Sequence, residues 1–292
     1  MMIFGIVSNI DKDINFTFAR HAAACIAEKG STSVVDISYL NTALGDDPNV
    51  SVSNYDDCDL LFSIGGDGTF LSAVHHHYAK DIPIIGVNLG SIGFLTEIQP
   101  DQFEDALDRI LLGKYTIENR IQLEVIVKDK DGIEKGRGLC LNDAVIARGF
   151  LLHVLTVDLL IDGDYVERLS GDGVILSTPT GSTAYSLAAG GPIVKPELDV
   201  FLVTPICPHT LHNRSYVVAQ DSVVEIRLKA FHEQPLLSLD GRNDISLSPL
   251  DCIYVSKSDH PMKIARMGYS NFYQTIRQKI RARGSFYEDG QK

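Results

Sequence analysis

Over the first 115 residues, short apolar runs alternate with longer stretches whose apolar positions recur every three or four residues. The runs "MIFGIVSN", "TSVVDI", "DLLFSIG" and "IPIIGVN" are apolar throughout rather than at every second position. That is the pattern of strands buried on both faces of a parallel sheet. Between them, residues 13 to 29 predict a helix closed by Gly30, "GTFLSAVHHHYAK" predicts a second, and "DQFEDALDRILLGK" a third, strongly amphipathic one. Strand and helix in alternation predict a Rossmann-like sheet with helices on both sides. Ligands of such sheets bind beyond the carboxyl ends of the strands.

After about residue 116 the period shortens to two. "IQLEVIVKDKDGIEKGRGLCLNDAVIA" predicts two strands around an Asp131-Gly132 turn. "HVLTVDLLIDGDYVERL" repeats the form around Asp162-Gly163, and "SVVEIRLKA" continues it. The expected organisation is an α/β domain over residues 1–117 and an antiparallel, β-sandwich-like domain over 118–267. A last segment, 268–292, carries the helix "YSNFYQTIRQKIRAR", expected to pack back on the α/β domain.

Charge and composition narrow the partners. The net charge of -12 argues against nucleic acid and anionic membrane, both of which select basic surfaces. No apolar run approaches the ~20 residues that cross a bilayer, and "MMIFGIVSNIDKD" reads as a first strand rather than a leader. Five scattered cysteines, none in a CxxC pair, suit reduced thiols and a cytoplasmic location.

The chemistry starts at "SIGGDGTFLSAV", residues 63–74. No GxxxxGK[ST] occurs, and "GDGTFL" has Leu71 where a dinucleotide fingerprint needs its third glycine. Gly65, Gly66, Gly68 and Thr69 can still turn their N–H groups toward a phosphate, aided by the N-terminus of the following helix. Asp67 would repel that phosphate unless it binds a metal or accepts a proton from an attacking hydroxyl, both of which are phosphoryl-transfer tasks. A plain strand–helix turn capped by Asp67 is the competing reading. Asn142 and Asp143 in "LNDAV" suit ribose hydroxyls, or simply a turn. Residues 171–196, "GDGVILSTPTGSTAYSLAAGGPIVKP", crowd hydroxyls among glycines. A core strand does not need the hydroxyls and a solvated loop does not need the apolar residues, so this segment suits a polar, ring-bearing ligand. The run His75-His76-His77 fans around a helix and cannot converge on one ion. His209 and His212 in "CPHTLHNR" are candidates to orient a ligand loop. Tyr269, Phe272 and Tyr273 suit packing, and Glu97 and Asp101 read as surface carboxylates.

Taken in order, "GGDGTFL", "NLGSIGFLTE", "LNDAVI", "DGVILSTPTGSTAYSLAAGGPIV" and "PICPHTLHNR" resemble the NAD kinase family over nearly the whole chain. "GGDGT" alone is shared with diacylglycerol, sphingosine and 6-phosphofructo-kinases. The resemblance implies transfer of a phosphoryl group from ATP to the 2′-hydroxyl of the adenosine ribose of NAD, giving NADP, with a divalent metal, Mg²⁺. It implies Asp67 as proton acceptor, with Gly68 beside it at the ligand. It implies NAD contacts at Asn142, Asp143, His153 and Asp172, and along Thr183, Ala184, Tyr185, Ser186, Leu187 and Ala188. It also implies a homodimer or homotetramer. Ser170 stands where some relatives have Arg, and Arg242 where some have Gln, so both roles stay open. Also open are inorganic polyphosphate as donor, NADH as acceptor, a lipid or sugar kinase of the wider superfamily, and a non-catalytic NAD(P)-binding sensor.

Overall fold

The computed structural model describes residues 1–77, 81–90, 93–149, 153–210, 214–229 and 234–284. The chain forms two units, Met1–Asn119 together with Met262–Lys292, and Arg120–Pro261. The first opens with strands β1 (Ile3–Ser8), β2 (Thr32–Val35), β3 (Val50–Val52), β4 (Leu60–Gly65) and β5 (Ile84–Asn88), in the parallel order β3-β2-β1-β4-β5. Every residue of β4 and β5 is buried, as their unbroken apolar runs require. Helices α1 (Thr17–Glu28), α2 (Asp67–His77) and α3 (Phe103–Leu111) follow strands as expected. The core joins Phe4, Ile6, Phe62 and Ile64 of the sheet to Ala19, Ala22 and Ile26 of α1 and Phe103, Leu107 and Ile110 of α3.

Helix α1 starts four residues later than its periodicity predicts. Asp13 turns its carboxylate onto the N–H groups of Phe18 and Ala19 at 2.8 and 2.9 Å, and Asn15 and Phe16 take positive φ. The carboxylate satisfies N–H groups that the first turn leaves without helical partners. At the other end Gly30 closes the helix with φ of 72°.

Strands β6 (Thr96–Ile98) and β7 (Thr116–Arg120) complete this sheet with a strand from much later in the chain. The second unit holds β8 (Leu123–Lys128), β9 (Glu134–Cys140), β10 (Asp143–Ala147), β11 (Leu155–Ile161), β12 (Asp164–Gly171) and β13 (Gly173–Ser177). After the short helix α4 (Tyr185–Ala188) come β14 (Val200–Ile206), β15 (Tyr216–Ala219), β16 (Val224–Leu228), β17 (Leu236–Leu239), β18 (Arg242–Ser246) and β19 (Cys252–Lys257). They form two six-stranded antiparallel sheets, β15-β14-β13-β10-β17-β18 and β12-β11-β16-β19-β8-β9. One apolar core draws on both, including Val125, Val157 and Ile226 from one and Ile146, Val174 and Phe201 from the other. The segment 121–147 makes three strands, not two, because "LNDAV" begins a strand of its own.

The β-rich stretch ends earlier than residue 267. Met262–Arg266 is β20, a member of the first unit's sheet, with Ile264 opposite Ile84 in parallel. Glu97 explains what holds this return. Although it reads as a surface carboxylate, it is 7% exposed and accepts the N–H groups of Met267 at 3.0 Å and Tyr269 at 2.7 Å. Helix α5 (Phe272–Gly284) follows, its Phe272 ring 6.2 Å from Phe94. Tyr273 is exposed, its ring edge-on to that of Phe272 at 5.4 Å.

Candidate active site

In the first unit the turn Gly65–Thr69 sits at the carboxyl end of β4, beside the end of β5, with Gly65 opposite Asn88. Strand order reverses between β1 and β4, so this is the switch point where doubly wound sheets bind ligands. The glycines have different tasks. A Cβ on Gly65 would lie 2.3 Å from Thr69 Oγ1, so this glycine lets the turn close on itself. Cβ atoms on Gly66 and Gly68 would meet nothing within 4 Å, which leaves open space against the first turn of α2.

Asp67 is the first residue of α2, but its side chain does not cap that helix. It reaches the loop after β5, accepting N–H groups from Phe94 at 2.9 Å on Oδ2 and from Leu95 at 3.0 Å and Thr96 at 3.4 Å on Oδ1. The ammonium of Lys279 on α5 lies 3.5 Å from Oδ2 and 4.3 Å from the centre of the Phe94 ring. Arg266 of β20 holds the same loop from its other side, donating to the carbonyls of Phe94 and Leu95 at 3.3 Å. Gly93 has no room for a side chain, since a Cβ there would lie 2.1 Å from Asp67 Oδ1. The carboxylate is thus fixed in direction by charge-assisted hydrogen bonds.

In the second unit Asp143 begins β10, directly after Asn142, and lies opposite Ser177 at the end of β13. The carbonyls of Leu141 and Asn142 accept from Thr178, through its Oγ1 at 2.5 Å and its N–H at 2.9 Å. Their N–H groups go elsewhere, to Asp240 in the turn between β17 and β18. Asp143 is buried, with the Tyr185 N–H bonded to its carboxylate. Burial first, and the neighbouring Asp240 second, push its carboxyl up to about 7.

The hydroxyl-rich loop behaves differently from its composition. Ser177, Thr178, Ser182 and Ser186 are fully buried and Thr180 nearly so. Ser182 Oγ donates to the Pro179 carbonyl at 2.6 Å and accepts from the Val194 N–H at 3.1 Å. Ser186 Oγ lies 3.2 Å from Thr204 Oγ1, which in turn donates to Ser215 at 3.0 Å. The Ser182 hydroxyl thus serves backbone groups that the tight loop leaves without partners, while Ser186 is held by a hydroxyl of β14. What the loop offers outward is Tyr185, Leu187 and Ala188, with Thr183 and Ala184 half-buried beside them.

A second polar corner forms at the far end of the same strand pair. Asp172 accepts from Arg148 Nε at 2.9 Å, Ser170 Oγ lies 3.1 Å from Thr156 Oγ1, and the His209 N–H donates to the Ser170 carbonyl at 2.8 Å. The ladder runs from Asp143 opposite Ser177 to Ala147 opposite Gly173. One step beyond it, Arg148 donates its N–H to the Asp172 carbonyl, so five residue steps at about 3.4 Å separate the corners by roughly 17 Å.

Two family models match, the ATP-NAD kinase N-terminal domain over residues 4–115 and its C-terminal domain over residues 141–267. An NAD kinase from Acetivibrio thermocellus is 37% identical over 287 residues, 97% of this chain and 99% of its own. The chain belongs to the NAD kinase family. Another relative, the NAD kinase of Carboxydothermus hydrogenoformans, is 39% identical over 79% of this chain and 82% of its own. Yeast NADH kinase, solved with NADH, superimposes with a TM-score of 0.86 at 26% identity, covering 98% of this chain and 89% of that one. The fold is also that of an NAD kinase from Archaeoglobus fulgidus solved with ATP, with a TM-score of 0.74 at 24% identity over 95% of this chain and 99% of that one.

The family's motifs fall on the elements just described, and the structure adds residues that the motifs do not name. Arg148, Asp240, Arg266 and Lys279 each hold a motif residue from a distant part of the chain. For Asp240 a signal was present: Asp-Gly between two apolar runs marks a hairpin turn. His153 and Arg242 are exposed. The side chains of His76 and His77, and all of His212, lie outside the described residues. Asp67 does not fit a resident metal ion, because its oxygens already take N–H groups and face an ammonium. Among the described residues one trio of metal-capable groups comes together, His21, Cys25 and Glu104 on α1 and α3, and it excludes Asp67.

Proposed function

We propose that the protein transfers the γ-phosphoryl group of ATP to the 2′-hydroxyl of the adenosine ribose of NAD, forming NADP. Membership of the NAD kinase family supports the reaction. The observation that carries the assignment of roles is the setting of Asp67. A carboxylate turned away from its own helix, locked by three backbone N–H groups and flanked by two glycines with open space, is built to meet a ligand.

Asp67 accepts the proton of the attacking hydroxyl, which takes the position beside Oδ2 that Lys279 now approaches. Gly66, Gly68 and the first N–H groups of α2 receive phosphate, where helix N-termini favour negative charge. The divalent cation, Mg²⁺, arrives with ATP as part of the substrate. Asn142 and Asp143 take one end of the dinucleotide together with Thr183, Ala184 and Tyr185. Asp172, with Arg148, takes a group further along. The roughly 17 Å between the two polar corners suits an extended dinucleotide. Catalysis of this kind rests on positioning and charge neutralisation. We also infer a cytoplasmic homo-oligomer, dimer or tetramer, which light scattering at micromolar concentration tests.

The deciding experiment incubates the protein with NAD, ATP and Mg²⁺ and reads NADP with an NADP-specific dehydrogenase. NADP formation establishes the kinase. NAD binding without NADP favours a sensor, and phosphorylation of a lipid or sugar instead of NAD assigns the chain to another branch of the superfamily. Parallel reactions with polyphosphate and with NADH define the donor and the acceptor.

A further inference from the structure

Asp240 occupies the first position of the two-residue turn joining β17 to β18, with φ of 50°, and Gly241 follows with φ of 84°. Positive φ at both positions is the geometry of the hairpin turn that matches strand twist, and Asp-Gly is among the pairs that adopt it most readily. The turn lies beside the start of β10, where Ala144 is opposite Leu239. The Asp240 N–H donates to the Asp143 carbonyl at 2.9 Å. Its carboxylate accepts from Leu141 N–H at 2.8 Å on Oδ2, and from Asn142 N–H at 2.7 Å and Asp143 N–H at 3.0 Å on Oδ1. Three consecutive backbone donors thus converge on one side chain almost a hundred residues away.

We propose that Asp240 is a positioning residue for the dinucleotide, gathering the N–H groups of residues 141–143 so that the side chains of Asn142 and Asp143 are presented in one fixed orientation. This rests on the reading that Asn142 and Asp143 contact NAD. Without Asp240 the segment keeps its carbonyl bonds to Thr178 but loses the partner of every N–H group along it. Three backbone donors would have to find water or turn away, carrying the two side chains with them. Electrostatics links the same residues. Asp240 faces the carboxyl of Asp143 and the buried thiol of Cys140 at the end of β9, and its charge opposes ionisation of both.

The test uses the full chain with Asp240→Asn and Asp240→Gly. Both residues accept positive φ before glycine, so the hairpin is retained. Asn keeps one accepting oxygen and sets an amide NH₂ against backbone N–H groups, and Gly removes the acceptor altogether. We expect KM for NAD to rise at least tenfold in both variants while KM for ATP stays within twofold. In ¹⁵N-labelled protein the amide protons of Leu141, Asn142 and Asp143 should lose the downfield shift of charge-assisted bonds, with the amides of β17 and β18 unmoved. The pH dependence of KM for NAD should contain a step near 7 that moves to lower pH in Asp240→Asn and disappears in Asp143→Asn. Unchanged KM for NAD, or amide shifts that do not respond, overturns the role of Asp240. Wild-type protein that forms no NADP overturns instead the reading of the site, and the positioning role with it. Loss of the β17 and β18 amide pattern as well would show a merely structural residue and reject the proposal.

Discussion

Replacing Gly93 by alanine tests the setting of Asp67 without replacing any residue expected to meet a ligand. Gly93 has ordinary negative or extended backbone, so alanine is tolerated there conformationally and the effect is steric. The new Cβ would lie 2.1 Å from Asp67 Oδ1 and 2.2 Å from Thr96 Oγ1, against a shortest tolerable separation of about 3.0 Å. Asp67 must therefore retreat by roughly 0.9 Å, which breaks at least one of the bonds it now makes at 2.9 and 3.0 Å. A hydrogen bond to a charged group contributes about 1.5–3 kcal/mol, so the variant should lose about 2–3 kcal/mol of stability, roughly 5–10 °C in Tm. A 1 Å misplacement of a catalytic group costs about a hundredfold in rate, and kcat should fall by that order. Steady-state NADP formation and thermal denaturation measure the two effects. In an Asp67→Ala background the same substitution should cost much less, its remainder belonging to Thr96. A Gly93→Ala enzyme with kcat within threefold of wild type and an unchanged Tm would refute the locked carboxylate.

Gly68→Ala should stabilise the exposed first turn of α2 by about 0.5–1 kcal/mol yet raise KM for ATP at least tenfold, because its Cβ enters the space reserved for phosphate; an unchanged KM removes the phosphate turn. Asp67→Asn should lower kcat by about 10²–10⁴-fold with NAD still bound in a calorimetric titration, although its amide NH₂ must also oppose a backbone N–H. Ser186→Ala should cost about 1 kcal/mol in denaturant unfolding and leave KM for NAD unaltered, since Ser186 is fully buried against Thr204. Asp143 supplies a pH signature. Its carboxyl is held up to about 7 in the folded chain and titrates near 3.9 when unfolded. Between about pH 4 and 7 the native state therefore keeps a proton that the unfolded state has lost, and stability falls as pH rises by up to roughly 4 kcal/mol. Asp143→Asn should flatten that slope in Tm measured from pH 5 to 8.

Much of the fold was legible because periodicity and burial are local properties. The unbroken apolar runs of β4 and β5 and the Asp162-Gly163 hairpin appear where the chain predicts them, and Gly30 ends its helix. The motif segments were legible as chemistry only in combination, since a carboxylate among glycines can be a capped turn and an Asn-Asp pair a plain one. Less legible was which polar groups serve the backbone. The hydroxyls of Ser177, Thr178, Ser182 and Ser186 suggest a binding surface but satisfy the chain that carries them. Glu97 looks like solvent-facing charge and is the acceptor that returns residues 267–269 to the first sheet.

By itself the sequence determined the elements, the succession of an α/β and a β-rich part, and the motif residues, because strand and helix patterns and turn chemistry act over a few neighbours. Tertiary structure alone decided what each carboxylate does. Asp67 bonds 27 to 29 residues ahead, Asp240 about 98 behind and Glu97 about 170 ahead. An aspartate that caps its own helix and one that locks a distant loop are the same letter in the same local pattern. The difference is which unpaired N–H groups the folded chain brings within 3 Å of its oxygens.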